Sequence, residues 1–513
     1  MSKKLLKSTA IVSLMTLVSR ISGLVRDVVM ANLLGSSSLA DAFFVAFRIP
    51  NFLRRIFAEG AFSQAFVPVF SELTERNTNE AKAFVNAASG VLALSTFALS
   101  VLGMIFAPAL VSLYAPGYID QPQQFAITVD ALRLMFPYLF CVSLVAMSAG
   151  ILNTVNRFAV PAATPVLLNV CLILAMWLLL PVVENGTRAL AIGVLLAGIL
   201  QVLVQLPSLY REGYLPTLRL DFKNTAVKRL FSLMLPAVFS VSVAQINLFV
   251  NTVLASFLVT GSISWLYYSD RLMEFPVGVF GIALATVVLP SLSKESATGD
   301  PQHFAKMLDW ALRWVVVIAV PATVALYLLA TPLLSTMFQY NAFTNADVAQ
   351  SALALKAFAV GVCGFIFVKV LAPGFFARQD MKTPMKIAVL SVLVNIILSL
   401  VLVDLMVHTG LALAISIAAW LNASLLFIVL WRKGVYLPQP GWFIFLLRVA
   451  FAVTVMSLCL LFMEKAPELW YNMGFAERVW QMCLLVVVGG VSYLLALIIT
   501  GLKPHQLLLG REN

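Results

Sequence analysis

Runs of roughly twenty apolar residues, divided by short polar, Pro or Gly breaks, follow one another along almost the whole chain. A run of that length crosses the hydrocarbon core of a bilayer as a helix, which satisfies its own backbone hydrogen bonds there. Reading from break to break gives about fourteen such spans. They lie near 9–34, 41–70, 83–108, 131–155, 160–182, 188–209, 229–258, 264–291, 310–331, 348–377, 384–404, 408–431, 442–463 and 478–502. Charge is correspondingly scarce, with 11% of the 513 residues charged and 61% hydrophobic. A soluble chain carries about 25% charged residues. A cytosolic enzyme, a secreted domain and a disordered scaffold are thereby excluded, and an all-α polytopic membrane protein is expected.

The start of the chain imitates a signal peptide, with Lys3, Lys4 and Lys7 ahead of an apolar run. Arg20, Arg26 and Asp27 interrupt that run and no A-x-A site follows, so an uncleaved first helix is expected. Lys and Arg number 34 against 23 Asp and Glu. With the N-terminus on the cytoplasmic side, 21 of the 34 basic residues fall in cytoplasmic segments. The opposite loops then hold only Arg188, Lys465 and Arg478. This asymmetry puts both termini in the cytoplasm.

Several chemistries find no support. The five cysteines (Cys141, Cys171, Cys363, Cys459, Cys483) sit in apolar stretches without a CxxC pair, and His303, His408 and His505 are scattered. No GxxxxGK[ST] loop is present, so this chain does not drive anything by ATP hydrolysis. No catalytic residue, metal ligand or cofactor is assigned. No basic-aromatic patch suggests a nucleic-acid partner.

An internal repeat organises the spans. Ala131-Leu132-Arg133 and Ala354-Leu355-Lys356 stand 223 residues apart, as do Pro161 and Pro384; Val67-Pro68 with Ser71 and Leu289-Pro290 with Ser293 stand 222 apart. The offset covers six helices, an even number, which implies parallel repeats. The expected organisation is an N-lobe over 1–225 and a C-lobe over 226–437. Two further helices over 438–513 follow the Leu437-Pro438-Gln439-Pro440-Gly441 break.

Eleven charges interrupt three of the spans: Arg20, Arg26 and Asp27 on the first, Asp41, Arg48, Arg54, Arg55 and Glu59 on the second, Asp270, Arg271 and Glu274 on the eighth. A charge at the bilayer centre costs at least about 2.5–3.5 kcal/mol, so these side chains line a wet cavity or pair in the interior. Asp41, Arg48, Arg55 and Glu59 are spaced 7, 7 and 4, which confines them to one stripe. Pro50 can rotate the turns beyond it, which leaves open whether Arg54 or Arg55 points inward. Asp270 and Glu274 share a face with Arg271 beside them. Six arginines against five carboxylates, with Lys356 nearby, favour an anionic cargo, and guanidinium forks suit phosphate oxygens. The alternative is an ion-pair network that only locks the fold. Asn247, Asn251 and Asn395 are read as interhelical hydrogen-bonding groups ahead of sodium ligands.

The run from Asp41 through Arg48-Ile49-Pro50-Asn51-Phe52-Leu53-Arg54-Arg55 to Val67-Pro68 strongly resembles the MurJ (MviN) family of bacterial lipid II flippases in the MOP exporter superfamily. Ser19-Arg20 to Arg26-Asp27, Tyr268 to Pro276 and Leu371 to Asp380 support it, and the likeness covers essentially the whole chain. The resemblance implies two six-helix lobes, with the last two helices forming a lipid-tail groove. It implies movement of lipid II, an undecaprenyl-diphosphate-linked disaccharide-pentapeptide, across the bacterial inner membrane for peptidoglycan synthesis, alongside cell-wall synthesis proteins. By the family pattern Arg20, Arg26, Arg54 and Arg271 are the cavity arginines and Asp41 the essential acid. Position 48, often Lys in relatives, is Arg here. The acid of a sodium site seen in some members has no evident match in the eleventh span, so coupling to an ion or to the membrane potential stays open. Rival readings are an exporter of another polyprenyl-linked oligosaccharide and a non-transporting structural member of a cell-wall complex.

Overall fold

A computed structural model describes residues 3–55, 61–183, 185–221, 223–298 and 300–502. Every long element among them is helical. The chain divides into two compact units, 1–264 and 265–513.

The first unit contains α1 (Lys3–Leu34), α2 (Ser38–Arg54), α3 (Ala61–Arg76), α4 (Thr78–Ile105), α5 (Ala107–Tyr114), α6 (Pro122–Met135), α7 (Pro137–Thr154), α8 (Ala159–Leu178), α9 (Gly186–Arg211) and α10 (Thr225–Ser256). Capping residues start several of them. The Ser37 side chain accepts from the Ala40 N–H ahead of α2, and Asn77, Asn185 and Asn224 cap α4, α9 and α10 in the same way. A stack of Phe62, Phe66, Phe70 and Phe84, closed by Tyr214, forms a core between α3 and α4. Gly90 of α4 lies against the Arg219 backbone so closely that no side chain fits there.

The second unit begins inside α11 (Ser262–Pro276) and continues through α12 (Ile282–Thr298), α13 (Pro301–Leu328), α14 (Ala330–Phe338), α15 (Asn345–Phe376), α16 (Lys382–Arg432), α17 (Trp442–Met463), α18 (Pro467–Asn472) and α19 (Phe475–Ile499). A π-helical turn over Val277–Gly281 joins α11 to α12. Helix α15 opens with a capping box between Thr344 and Asp347. It packs along α16 through small residues: the Ser416 hydroxyl donates to the Ala357 carbonyl at 2.7 Å, and Trp420 Nε1 to the Val360 carbonyl at 2.8 Å. Helices α17 and α19 pack on α13 through Phe445, Met456, Leu485 and Tyr493, whose hydroxyl donates to the Val317 carbonyl at 2.7 Å.

Among the described residues ten helical segments are long and apolar enough to cross a membrane. That number and the expected count of about fourteen differ for identifiable reasons. Spans 384–404 and 408–431 are two helices within the 382–432 run, parted at Val407 where the backbone is not helical (φ 51°), and they count once among the ten. Spans 9–34, 41–70 and 229–258 are helical but do not stand among the ten. In the second of these, α2 and α3 flank residues 56–60, which lie outside the described residues.

Candidate functional site

Helix α2 carries its charges on a gradient of burial. Asp41 is 2% exposed, Arg48 and Arg54 are half-buried, and Arg55 is exposed. Glu59 lies outside the described residues. Pro50 stays within the helix, because its missing N–H removes only one ladder bond.

Each of these side chains has a definite setting. The Asp41 carboxylate accepts from the Gly261 N–H at 2.6 Å, the Ser264 N–H at 2.9 Å and the Ser264 hydroxyl at 2.5 Å. It thus serves as the cap of α11, where unpaired N–H groups and the helix dipole favour an anion. Arg48 donates to the Thr252 hydroxyl of α10 at 2.7 Å, and Arg54 Nε to the Asn51 side chain at 2.9 Å.

On α1, Arg20 is exposed while Arg26 and Asp27 are buried. Arg26 donates twice to one Asp27 oxygen, at 2.6 and 2.9 Å, and to Asn169 of α8 at 3.1 Å. Asn169 in turn donates to the Ser22 hydroxyl and the Ser19 carbonyl, 2.9 and 3.2 Å away. The group fastens α1 to α8. Sequence reasoning misses Asn169; a single Asn in the apolar stretch Leu167-Leu168-Asn169-Val170 is the one available signal.

In the second unit, α11 has two faces. Tyr268, Ser269, Leu272 and Met273 are buried, Tyr268 against Phe338 and Phe343. Arg271 and Glu274 are exposed and pair at 3.2 Å. The Arg271 guanidinium also lies 5.1 Å from the centre of the Tyr267 ring and donates to its hydroxyl. Asp270 is half-buried on the same helix. Glu274 stands with Arg271 and Tyr267 on the exposed face. An exposed guanidinium paired with a carboxylate can exchange it for phosphate oxygens at little cost.

Among the described residues no group of three or more His, Cys, Asp or Glu side chains is placed to hold a metal ion. Arg478, near the start of α19, is buried and donates to the carbonyls of Ser335, Gln339, Trp470 and Tyr471.

Solved structures share this all-helical fold, among them MATE transporters described as members of the MOP superfamily. An inward-facing MATE multidrug transporter of that superfamily superimposes with a TM-score of 0.67 at 14% identity, covering 81% of this chain and 94% of the other. An outward-facing one gives 0.55 at 14% identity, covering 83% and 95%. A structure described as lipid II flippase MurJ in an inward closed conformation gives 0.79 at 28% identity, over 94% of this chain and 97% of that one. Residues 30–480 match the family model described as lipid II flippase MurJ. The chain is 43% identical to the probable lipid II flippase MurJ of Vibrio cholerae serotype O1, over 99% of its own length and 98% of the relative's. The chain belongs to the MurJ family.

Proposed function

We propose that this protein is a lipid II flippase, a transporter and not an enzyme, which carries the undecaprenyl-diphosphate-linked precursor from the inner to the outer leaflet of the cytoplasmic membrane. Family membership over nearly the whole chain carries the reading. The charge pattern supports it, since six arginines in spans suit a diphosphate and suit a cationic cargo poorly.

The mechanism is alternating access between an N-lobe over 1–225 and a C-lobe over 226–437. The fold is one that solved relatives adopt in inward-facing and outward-facing forms. Arg271, Arg54 and Arg20 hold the diphosphate, being half-buried or exposed. Arg26 takes part only when it leaves Asp27 and Asn169, so its binding is coupled to a loosening of α1 from α8. Asp41 ties α2 to the start of α11 and keeps that end closed until the head group passes. The polyprenyl tail stays in lipid against α17 and α19, and both chain ends face the cytoplasm. Cell-wall synthesis proteins consume the product outside.

The test is labelling of lipid II in the outer leaflet by an impermeant reagent, in cells whose only flippase is this chain. With Arg271→Ala, labelling falls at least tenfold and lipid II accumulates inside. Unchanged labelling by a folded variant would refute the assignment.

A further inference from the structure

The connection from α10 to α11 is held at both of its ends. At the far end stands the Asp41 carboxylate, which takes the Gly261 and Ser264 N–H groups. At the near end the Gly117 N–H donates to the Ser256 hydroxyl oxygen at 3.1 Å. Ser256 spends its one proton on the Val253 carbonyl, 2.7 Å away, so it acts towards Gly117 as an acceptor only.

Gly117 sits in a 3-10 turn, Pro116–Tyr118, between α5 and α6, and is buried there. Its φ is not positive, so glycine stands at 117 for space and not for backbone freedom. A methyl group on it would overlap the Ser256 carbonyl and lie 2.8 Å from the Phe257 nitrogen. Those are backbone atoms, which cannot swing aside as a side chain does. Just before the turn, Tyr114 stands edge-on to Phe249 of α10, with ring centres 4.7 Å apart, and to Phe52 of α2 at 6.2 Å. The segment from Tyr114 to Tyr118 therefore brackets the end of α10, as Asp41 brackets the start of α11.

The alternating-access reading, on which this inference rests, puts Asp41, Tyr114 and Gly117 on the N-lobe and Phe249, Ser256, Gly261 and Ser264 on the C-lobe. Each of these contacts crosses the division between lobes. With both chain ends in the cytoplasm, the turn, the end of α10 and the start of α11 fall on the outer side, where the head group leaves. We propose that Gly117 and Ser256 are positioning residues for transport: they form a second clasp of the outer gate, and the missing side chain at 117 is what lets that gate shut. The two clasps divide the work. Asp41 answers to charge, whereas the Gly117 clasp is neutral and fixes how closely α10 approaches. Its opening gives one N–H and one hydroxyl back to water, which costs little.

Ser262 supplies the reporter. It is fully buried next to Gly261 and its hydroxyl makes no hydrogen bond, so Ser262→Cys gives none up. The full chain carries this change with Cys459→Ala and Cys483→Ala, which remove the two native thiols that are not buried. Spheroplasts are then treated with an impermeant maleimide, and lipid II exposure is measured in the same cells. Adding Gly117→Ala should speed labelling at position 262 by at least about fivefold, as expected when one hydrogen bond no longer holds the shut state. Lipid II exposure should fall by a similar factor. Cys141 and Cys171, buried elsewhere in the first unit, should stay unlabelled, which a loss of fold would not allow. Should Gly117→Ala misfold by that criterion, Ser256→Ala removes the acceptor without adding volume and must speed labelling about threefold. Unchanged labelling at position 262 in a folded Gly117→Ala variant overturns the clasp. Faster labelling with undiminished lipid II exposure overturns its part in transport. A failure of the flippase reading shows separately, as a chain with glycine at 117 that exposes no lipid II while the labelling difference persists.

Discussion

Asp41 holds Ser264 twice, taking both its backbone N–H and its hydroxyl on one carboxylate oxygen. The other oxygen takes the Gly261 N–H, so the side chain of one helix supplies the cap of another. Asp41→Ala removes every one of these acceptors, and a lost cap alone costs about 0.5–2 kcal/mol. We expect it to lower the unfolding midpoint and to abolish lipid II exposure. Asp41→Asn keeps one acceptor oxygen and should recover most of the stability while transport stays impaired. Full transport by a folded Asp41→Ala variant would remove the latch role.

Arg26 and Arg271 should behave differently when truncated. Arg26→Ala removes the guanidinium that neutralises buried Asp27, and breaking a buried pair costs about 3–5 kcal/mol. Its yield in membranes should drop, and Arg26→Ala/Asp27→Ala should restore part of it. Arg271→Ala acts at an exposed pair and should change stability by less than about 0.5 kcal/mol while lowering transport. Thermal unfolding of the purified variants beside the leaflet-labelling assay separates the two effects.

Asp380, in the turn before α16, accepts from the Thr383 hydroxyl at 2.7 Å and N–H at 3.0 Å and from Lys433 at 3.1 Å. Chiefly through Thr383, these bonds hold its carboxyl down at about 2 from an ordinary 3.8. A depressed folded value means that the contribution is present above 3.8 and fades as pH falls toward about 2. The unaltered chain should therefore lose stability across that window more steeply than Asp380→Asn. Parallel pH profiles of the unfolding midpoint would contradict this.

A side chain at position 361 would wedge α15 from α16. A methyl there would sit 2.6 Å from the Ser416 hydroxyl oxygen and 2.8 Å from its Cα. Backbone cannot yield as a flexible side chain does, so Gly361→Ala should destabilise by about 1–3 kcal/mol. Ser416→Ala should relieve little of that, because the Cα clash persists. Unfolding midpoints of Gly361→Ala, Ser416→Ala and the double variant decide it.

Spacing and apolarity were enough to find the helices, since a bilayer demands length and hydrophobicity that show directly in sequence. They were not enough to find breaks compatible with either conformation. Pro137 starts α7 immediately after α6, where a proline at the first helical position costs nothing, so one expected span is two helices. The break at Val407, by contrast, falls where the expected spans 384–404 and 408–431 part. Among the charges, the 7-residue spacing suggested one stripe on α2, but the partners of Asp41 stand more than two hundred residues away. No local pattern encodes that meeting. The same holds for Asn169 with Arg26, and for Asp309 with Tyr436 and Trp442.

The Asp309 hub settles how far the chain can be shortened. Its carboxylate, 3% exposed, is satisfied by groups from Tyr436, Gln439 and Trp442, all belonging to the connection that leads into α17. A stop codon before Tyr436 would strand a desolvated anion in α13 with a single remaining cationic neighbour. The final pair of long helices is therefore no removable extension, and minimal versions of this protein that end at α16 should be cleared by cellular proteolysis before they reach a functional assay.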